Sequence, residues 1–314
     1  MTFNKFLGFL DILKTSTKIM SKNGKLVAMV TSIYLIISNL FFFLNISTIK
    51  PIISDFVTKA TELPYLDPQG PFYYQVLDTI QKDVKTLLRV ELAFILAFFI
   101  TSMFVQVAII LLTGISYKDE KIFPKDLITR VLQALTRLFI TCFHITLMKV
   151  GFLIFGFMAL IFLTVMIPMH KIVLAVTIWV LVILVSILFL YFSIVWVLSL
   201  VVSVLEECSG LEALGKAERL VKGKKLEGFL VFLLPTLLSF VFFQLSTKMN
   251  VVEQSELTRA ILEFFLTSCM CLLGIFVFQA YTVLYFECKR NHGEEIELQG
   301  SVEYGRISLD EDLP

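Results

Sequence analysis

The sequence predicts an all-α integral membrane protein with six transmembrane helices and two cytoplasmic amphipathic helices. Three observations carry this. Of 314 residues, 57% are hydrophobic and 17% charged, with a mean hydropathy of +0.86, whereas soluble domains carry roughly 45–50% apolar and about 25% charged residues. The apolar residues are gathered into six runs that meet the length of roughly 20 residues that a helix needs to cross a hydrocarbon core of about 30 Å. The basic residues are distributed unevenly between the two sides of these runs. Together these exclude a soluble enzyme and a disordered chain. The net charge of +1 gives no electrostatic footprint for nucleic acid.

The elements follow in order. In residues 1–25, Lys5, Lys14, Lys18, Lys22 and Lys25 precede an apolar run too long for a signal-peptide core. Phe3, Phe6, Leu7, Leu10 and Leu13 recur at helical spacing, so this segment is expected to lie on the membrane surface. The first span is 26–46. Asn45-Ile46-Ser47 fits the glycosylation pattern but abuts the end of that span, so it is expected to stay unmodified. In the outer loop, 47–88, Pro51, Pro64, Pro68 and Pro71 are expected to break the chain into short helices resting on the membrane. Tyr65, Tyr73 and Tyr74 suit its interface.

The second span, 90–113, carries Glu91 and Gln106. The third and fourth, 150–168 and 172–205, are joined by a tight turn at His170-Lys171. Residues 172–205 contain no charge, Gly or Pro. As one helix they are about 50 Å long, so they must tilt strongly or protrude. Spans 228–246 and 260–287 complete the set, and none of the six shows the period-2 alternation of a barrel strand. Residues 288–314 read as an acidic, disordered cytoplasmic tail. Within it, Tyr304-Gly305-Arg306-Ile307 and Asp310-Glu311-Asp312 have the form of sorting signals.

Orientation follows from the Lys and Arg count. Eighteen fall on the side of the N-terminal segment, the 114–137 and 206–227 loops and the tail. Eight fall on the opposite side, and Lys149 lies between. The excess places both termini in the cytoplasm of a cell, at an endomembrane or the plasma membrane. The five cysteines, at 142, 208, 269, 271 and 288, lie in or near helices and imply no disulfide framework.

Two cytoplasmic segments hold most of the remaining information. Between Asp126 and His144, the polar residues Asp126, Arg130, Gln133, Arg137, Thr141 and His144 recur on one face. Leu127, Val131, Leu132, Leu135, Leu138, Phe139 and Cys142 occupy the other. This is a helix with one wet face that continues into the third span. The second segment opens on Ser209-Gly210-Leu211-Glu212, a capping box. Leu211, Leu214, Ala217, Leu220 and Val221 form its apolar face, expected to rest on lipid, and Gly223 is placed to end it. Its basic residues Lys216, Arg219, Lys222, Lys224 and Lys225 are candidates for contact with anionic lipid headgroups.

The segment Glu207-Cys208-Ser209-Gly210-Leu211-Glu212-Ala213-Leu214-Gly215-Lys216-Ala217-Glu218-Arg219-Leu220-Val221-Lys222-Gly223 resembles a loop of a six-span membrane family. That family is related to the membrane region attached to some bacterial glycerophosphodiester phosphodiesterases. Tyr281-Thr282-Val283-Leu284-Tyr285-Phe286-Glu287-Cys288-Lys289 is similar more narrowly to a plant group of uncharacterised transmembrane proteins. Ala217 stands where the broader family often has Ser. The resemblance implies a fold and a membrane location and no activity, because the catalytic domain of the phosphodiesterases has no counterpart in this chain.

Several residues invite sharper readings. Gly210…Gly215-Lys216 matches most of the pattern of a phosphate-binding loop, but that loop needs a preceding strand and a Ser or Thr after the Lys. Ala217 follows instead, and the amphipathic helix accounts for every residue. His144 and Lys149 could form an intramembrane proton or substrate site, or sit at the interface with Lys149 snorkelling. Gln106 and Gln279 lie deeper and suit hydrogen bonds between helices. Cys208 and Cys288 flank the membrane surface and are candidates for palmitoylation. No catalytic, metal or cofactor constellation stands out. The expectation is a non-enzymatic protein that organises anionic lipids, or cytosolic and membrane partner proteins, at a cytoplasmic face. The alternative is a transporter or channel for a small or amphipathic solute, with Gln106, Gln279, Asn39 and Lys149 along its path.

Overall fold

A computed structural model describes residues 2–120, 122–166, 171–249 and 256–293. Among these residues there are eight α-helices and no strand. They are α1 (Thr2–Lys22), α2 (Gly24–Glu62), α3 (Pro71–Tyr117), α4 (Pro124–Met166), α5 (Lys171–Leu205), α6 (Gly210–Val221), α7 (Lys225–Met249) and α8 (Glu256–His292). Six of them, α2 to α5, α7 and α8, are long and apolar enough to cross a membrane. The expected turn at His170 and the signals at 304–312 lie outside the described residues.

The outer loop differs from expectation. Instead of short broken helices, α2 continues through Pro51 to Glu62, a 3-10 turn covers Leu63–Tyr65, and α3 starts at Pro71. Proline at the first helical position gives up only an N–H that would have no helical partner. The turn between them is closed by Asp67, whose carbonyl accepts from the Gly70 N–H at 2.9 Å and whose Oδ1 accepts from the Gln69 N–H at 3.1 Å. Lys59 of α2 reaches Asp83 of α3 at 2.9 Å and Asp55 of its own helix at 2.5 Å. The apolar runs therefore belong to a longer hairpin, with α3 alone, at 47 residues, about 70 Å long.

The buried core sits at one end of the bundle, where the basic segments gather. Val107, Ile110 and Leu112 of α3, Leu198, Val201 and Val202 of α5, and Tyr281, Leu284 and Phe286 of α8 are all fully enclosed. Tyr117 stacks on Phe286 with ring centroids 4.4 Å apart. The surplus length of the fourth apolar run goes here: the last third of α5, from Ile194, packs into this core. Away from it, the apolar side chains of α4 and α5 face outward, as suits a lipid solvent with no hydrophobic penalty for exposure.

The surfaces differ in part from expectation. On α1, Phe9, Ile12 and Ile19 are buried in the protein core and Gly8 lies against the carboxylate of Glu227 on α7, while Leu10 of the expected lipid-facing set is 43% exposed. The wet face expected between 126 and 144 is partly reversed. Arg130, Arg137 and His144 are half-buried and Thr141 is buried, while Leu132 and Phe139 are exposed; Asp126 and Gln133 on the polar side, and Leu127, Val131 and Leu138 on the apolar side, follow the expectation. The reason is that the polar groups find partners inside, on the 206–210 connector.

Candidate functional site

The basic end is built around Glu206, the first residue after α5. Its Oε1 accepts from the Tyr285 hydroxyl at 2.5 Å and faces the Lys289 ammonium at 3.2 Å, its Oε2 pairs with Lys216, and its carbonyl accepts from Arg137 Nη1 at 2.9 Å. One residue thus ties α4, α6 and α8 to the end of α5. Burial alone would raise the Glu206 pKa, but Lys216, the Tyr285 hydroxyl and Lys289 outweigh it and hold the carboxyl below its usual range. A second cluster lies beside it. Lys224 reaches Glu227 at 3.2 Å and Glu287 at 3.3 Å, and Arg290 reaches Glu287 at 2.7 Å. Desolvation lowers the Lys224 pKa and the two carboxylates raise it by more. Neither Glu206 nor Glu287 is singled out by pattern. The available signal is position: a carboxylate directly after a 34-residue uncharged run.

Helix α6 packs on the protein. Ala213, Ala217, Leu220 and Val221 are buried against α4, α5 and α8, and Leu211 alone of the predicted apolar face is 65% exposed. The capping box does not form, since Ser209 makes no side-chain cap bond. Gly210 instead adopts φ +60°, and its N–H donates to Thr141 Oγ1 at 2.9 Å. A Cβ at Gly210 would lie 3.2 Å from the His144 ring, so only glycine suits this approach. His144 is thereby a packing partner, with its Nδ1–H donating to the Ile140 carbonyl at 2.8 Å. The helix ends where expected: Gly223 has φ +110°.

The five candidate headgroup residues divide. Lys216 and Lys224 are consumed by carboxylates inside the protein. Arg219, Lys222 and Lys225 are exposed; among the described residues no carboxylate lies within ion-pairing distance of them. Lys225 lies 5.0 Å from the centroid of the Tyr191 ring. The outward members of the candidate set therefore form a three-residue rim on the end of α6 and the start of α7.

Residues 4–304 match the family described as Domain of unknown function (DUF8558). The chain belongs to that family. Neither a curated protein nor a solved structure matches it. In this DUF8558 chain the candidate intramembrane polar residues do not converge. Lys149 is exposed, 5.5 Å from the centroid of the Trp196 ring; Gln106 is half-buried on α3 and Gln279 buried on α8; no hydrogen bond joins any two of these or His144. A polar group that pattern reasoning only partly found lies between α2, α3 and α8. Asn39 Nδ2 donates to Ser268 Oγ at 3.1 Å, Tyr34 faces Ser38, Ser102 and Cys271, and Asn39 Oδ1 is buried without a partner. Neither candidate acylation site of this DUF8558 chain presents its sulfur: Cys208 is 7% exposed and Cys288 0%. Burial pushes the Cys208 thiol up to about 11, which leaves little nucleophilic thiolate at neutral pH.

Proposed function

We propose that this protein is a non-enzymatic, multi-pass membrane protein that organises anionic lipids at its basic end, and that this end and both termini face the cytoplasm of an endomembrane or the plasma membrane. The observation that carries the reading is the sorting of the cations. Those pointing inward are neutralised by Glu206, Glu227 and Glu287, and Arg219, Lys222 and Lys225 are left facing outward. Such a rim attracts anionic headgroups by about 1 kcal/mol per basic residue. The inward ionisable groups, Glu206, Lys216, Lys224, Glu227, Glu287 and Lys289, are engaged with one another, which suits a rigid platform.

The test uses the full chain reconstituted in vesicles of mixed phosphatidylcholine and phosphatidylglycerol, with spin-labelled lipids reporting the boundary layer. Selectivity for the anionic lipid is expected, screened by high salt, and reduced about fivefold per residue in an Arg219→Gln/Lys222→Gln variant. Equal boundary populations of the two lipids, insensitive to salt, would count against the reading.

A second reading, a transporter or channel for a small or amphipathic solute, is supported by the buried, unpaired Oδ1 of Asn39 among polar side chains of three helices. On that reading, solute flux into reconstituted vesicles falls at least tenfold in Asn39→Leu; flux unchanged by the substitution removes this cluster from the path. Lys149 lends it no support, since its ammonium lies over Trp196 on an exposed face.

A further inference from the structure

Helices α5 and α7 enclose a wedge that opens outward. They meet closely at the basic end, where a Cβ on Gly228 of α7 would lie 3.0 Å from Ile194 of α5. Farther along, between Val173 and Leu188, the half-buried residues of α5 form one row, Thr177, Ile178, Leu181 and Val185. That row serves α4: Gly156 lies opposite Val185, and Phe152 packs on Phe189. Among the described residues no second row is covered, so the side of α5 toward α7 is open. At the root of the wedge lies a cavity of about 550 Å³ lined by Ile187, Leu190, Tyr191, Ile194, Lys225 and Phe229. Its walls are apolar except at the end where Lys225 stands over the Tyr191 ring.

We propose that this wedge binds one anionic glycerophospholipid, with an acyl chain along the apolar trough and the phosphate against Lys225. The site rests on the reading of the basic end as a lipid-facing surface, and adds to it a single defined position. Charge complementarity identifies the occupant. The cavity places one cation, with no carboxylate of the described residues in ion-pairing distance, at the polar end of an apolar trough. That order, positive charge above hydrocarbon, mirrors a phosphate above an acyl chain. The volume falls within the range of about 300–1,000 Å³ of small-molecule sites. The neighbouring Lys224 shows the contrast: it faces Glu227 and Glu287 and has no call on an external anion.

The experiment is native mass spectrometry of the full chain, released from detergent with phosphatidylglycerol or phosphatidylcholine of identical chains. One phosphatidylglycerol is expected to remain bound, with at least tenfold less phosphatidylcholine. Lys225→Gln is expected to bring the anionic lipid down to the level of the zwitterionic one. Ile187→Trp, which fills the trough from an exposed position, is expected to remove both. Wild-type retention in Ile187→Trp, equal retention of the two lipids by the wild type, or displacement by millimolar inorganic phosphate each overturns the site. An Arg219→Gln/Lys222→Gln variant keeps the bound lipid while losing boundary selectivity. If it instead loses the bound lipid while both wedge variants retain it, the wedge proposal fails and the rim reading stands.

Discussion

Glu206→Gln is expected to loosen the whole basic end, lowering stability by about 3 kcal/mol. The carboxylate accepts from Tyr285 and neutralises Lys216 and Lys289, and the Lys289 side chain is only 9% exposed. Gln preserves size and one acceptor but removes the negative charge that the enclosed Lys289 ammonium faces at 3.2 Å, and removing one partner of a buried pair is costly. The sign with pH follows from the lowered Glu206 pKa. A group whose folded pKa is depressed contributes stability above its unfolded value, about 4.3 for Glu, and loses it as pH falls through the lower folded value. The gap between wild type and Glu206→Gln should therefore be full at pH 6 to 8 and close in acid below about pH 4. Thermal unfolding in detergent, followed by reaction of the buried Cys208 and Cys288 with a maleimide dye, reads both parts. A gap that is constant down to pH 3 would show that Glu206 is not the charged centre of this end.

The second large effect separates a helix lying on lipid from one packed in protein. Ala217 is fully buried beneath α6, so Ala217→Leu inserts three carbons into a closed contact, at a cost of about 1–3 kcal/mol. Leu211 lies on the outside, and Leu211→Ser should change stability by no more than about 0.5 kcal/mol. Were α6 a membrane-surface helix the order would reverse, because the larger apolar face would strengthen attachment and the serine would weaken it. Unfolding midpoints of the two variants, measured in the same detergent, decide the matter; a raised midpoint for Ala217→Leu refutes the packed helix.

How much was legible varies by element. The six helices long and apolar enough to cross a membrane were, because 20 apolar residues in a row have few other uses, and α6 was, because Gly223 ends it at the expected place. The α2–α3 hairpin was not legible, because prolines read as breakers, yet Pro51 sits inside a helix and Pro71 starts one. The capping box was a local pattern overruled by a distant partner, since Thr141 of α4 takes the Gly210 N–H. At the candidate site, the basic residues were visible as a set but not their division into paired and outward ones.

That division marks the boundary. Composition, run length and charge by themselves determined that this chain forms six helices long and apolar enough to span a membrane; how far α2 and α3 run beyond their apolar stretches, to Glu62 and from Pro71, they did not. Which face of α1, α4 and α6 points inward was decided only by tertiary structure. An amphipathic pattern states that two faces differ, but lipid and protein core are both apolar, so the pattern is silent on which of them the greasy face meets. The partners are residues far apart in the chain: Arg137 and Lys289 meet at Glu206, and His144 lies against Gly210. Only folding brings those groups to within a few ångströms, and only then does a row of lysines become a buried ion cluster on one side and a free basic rim on the other.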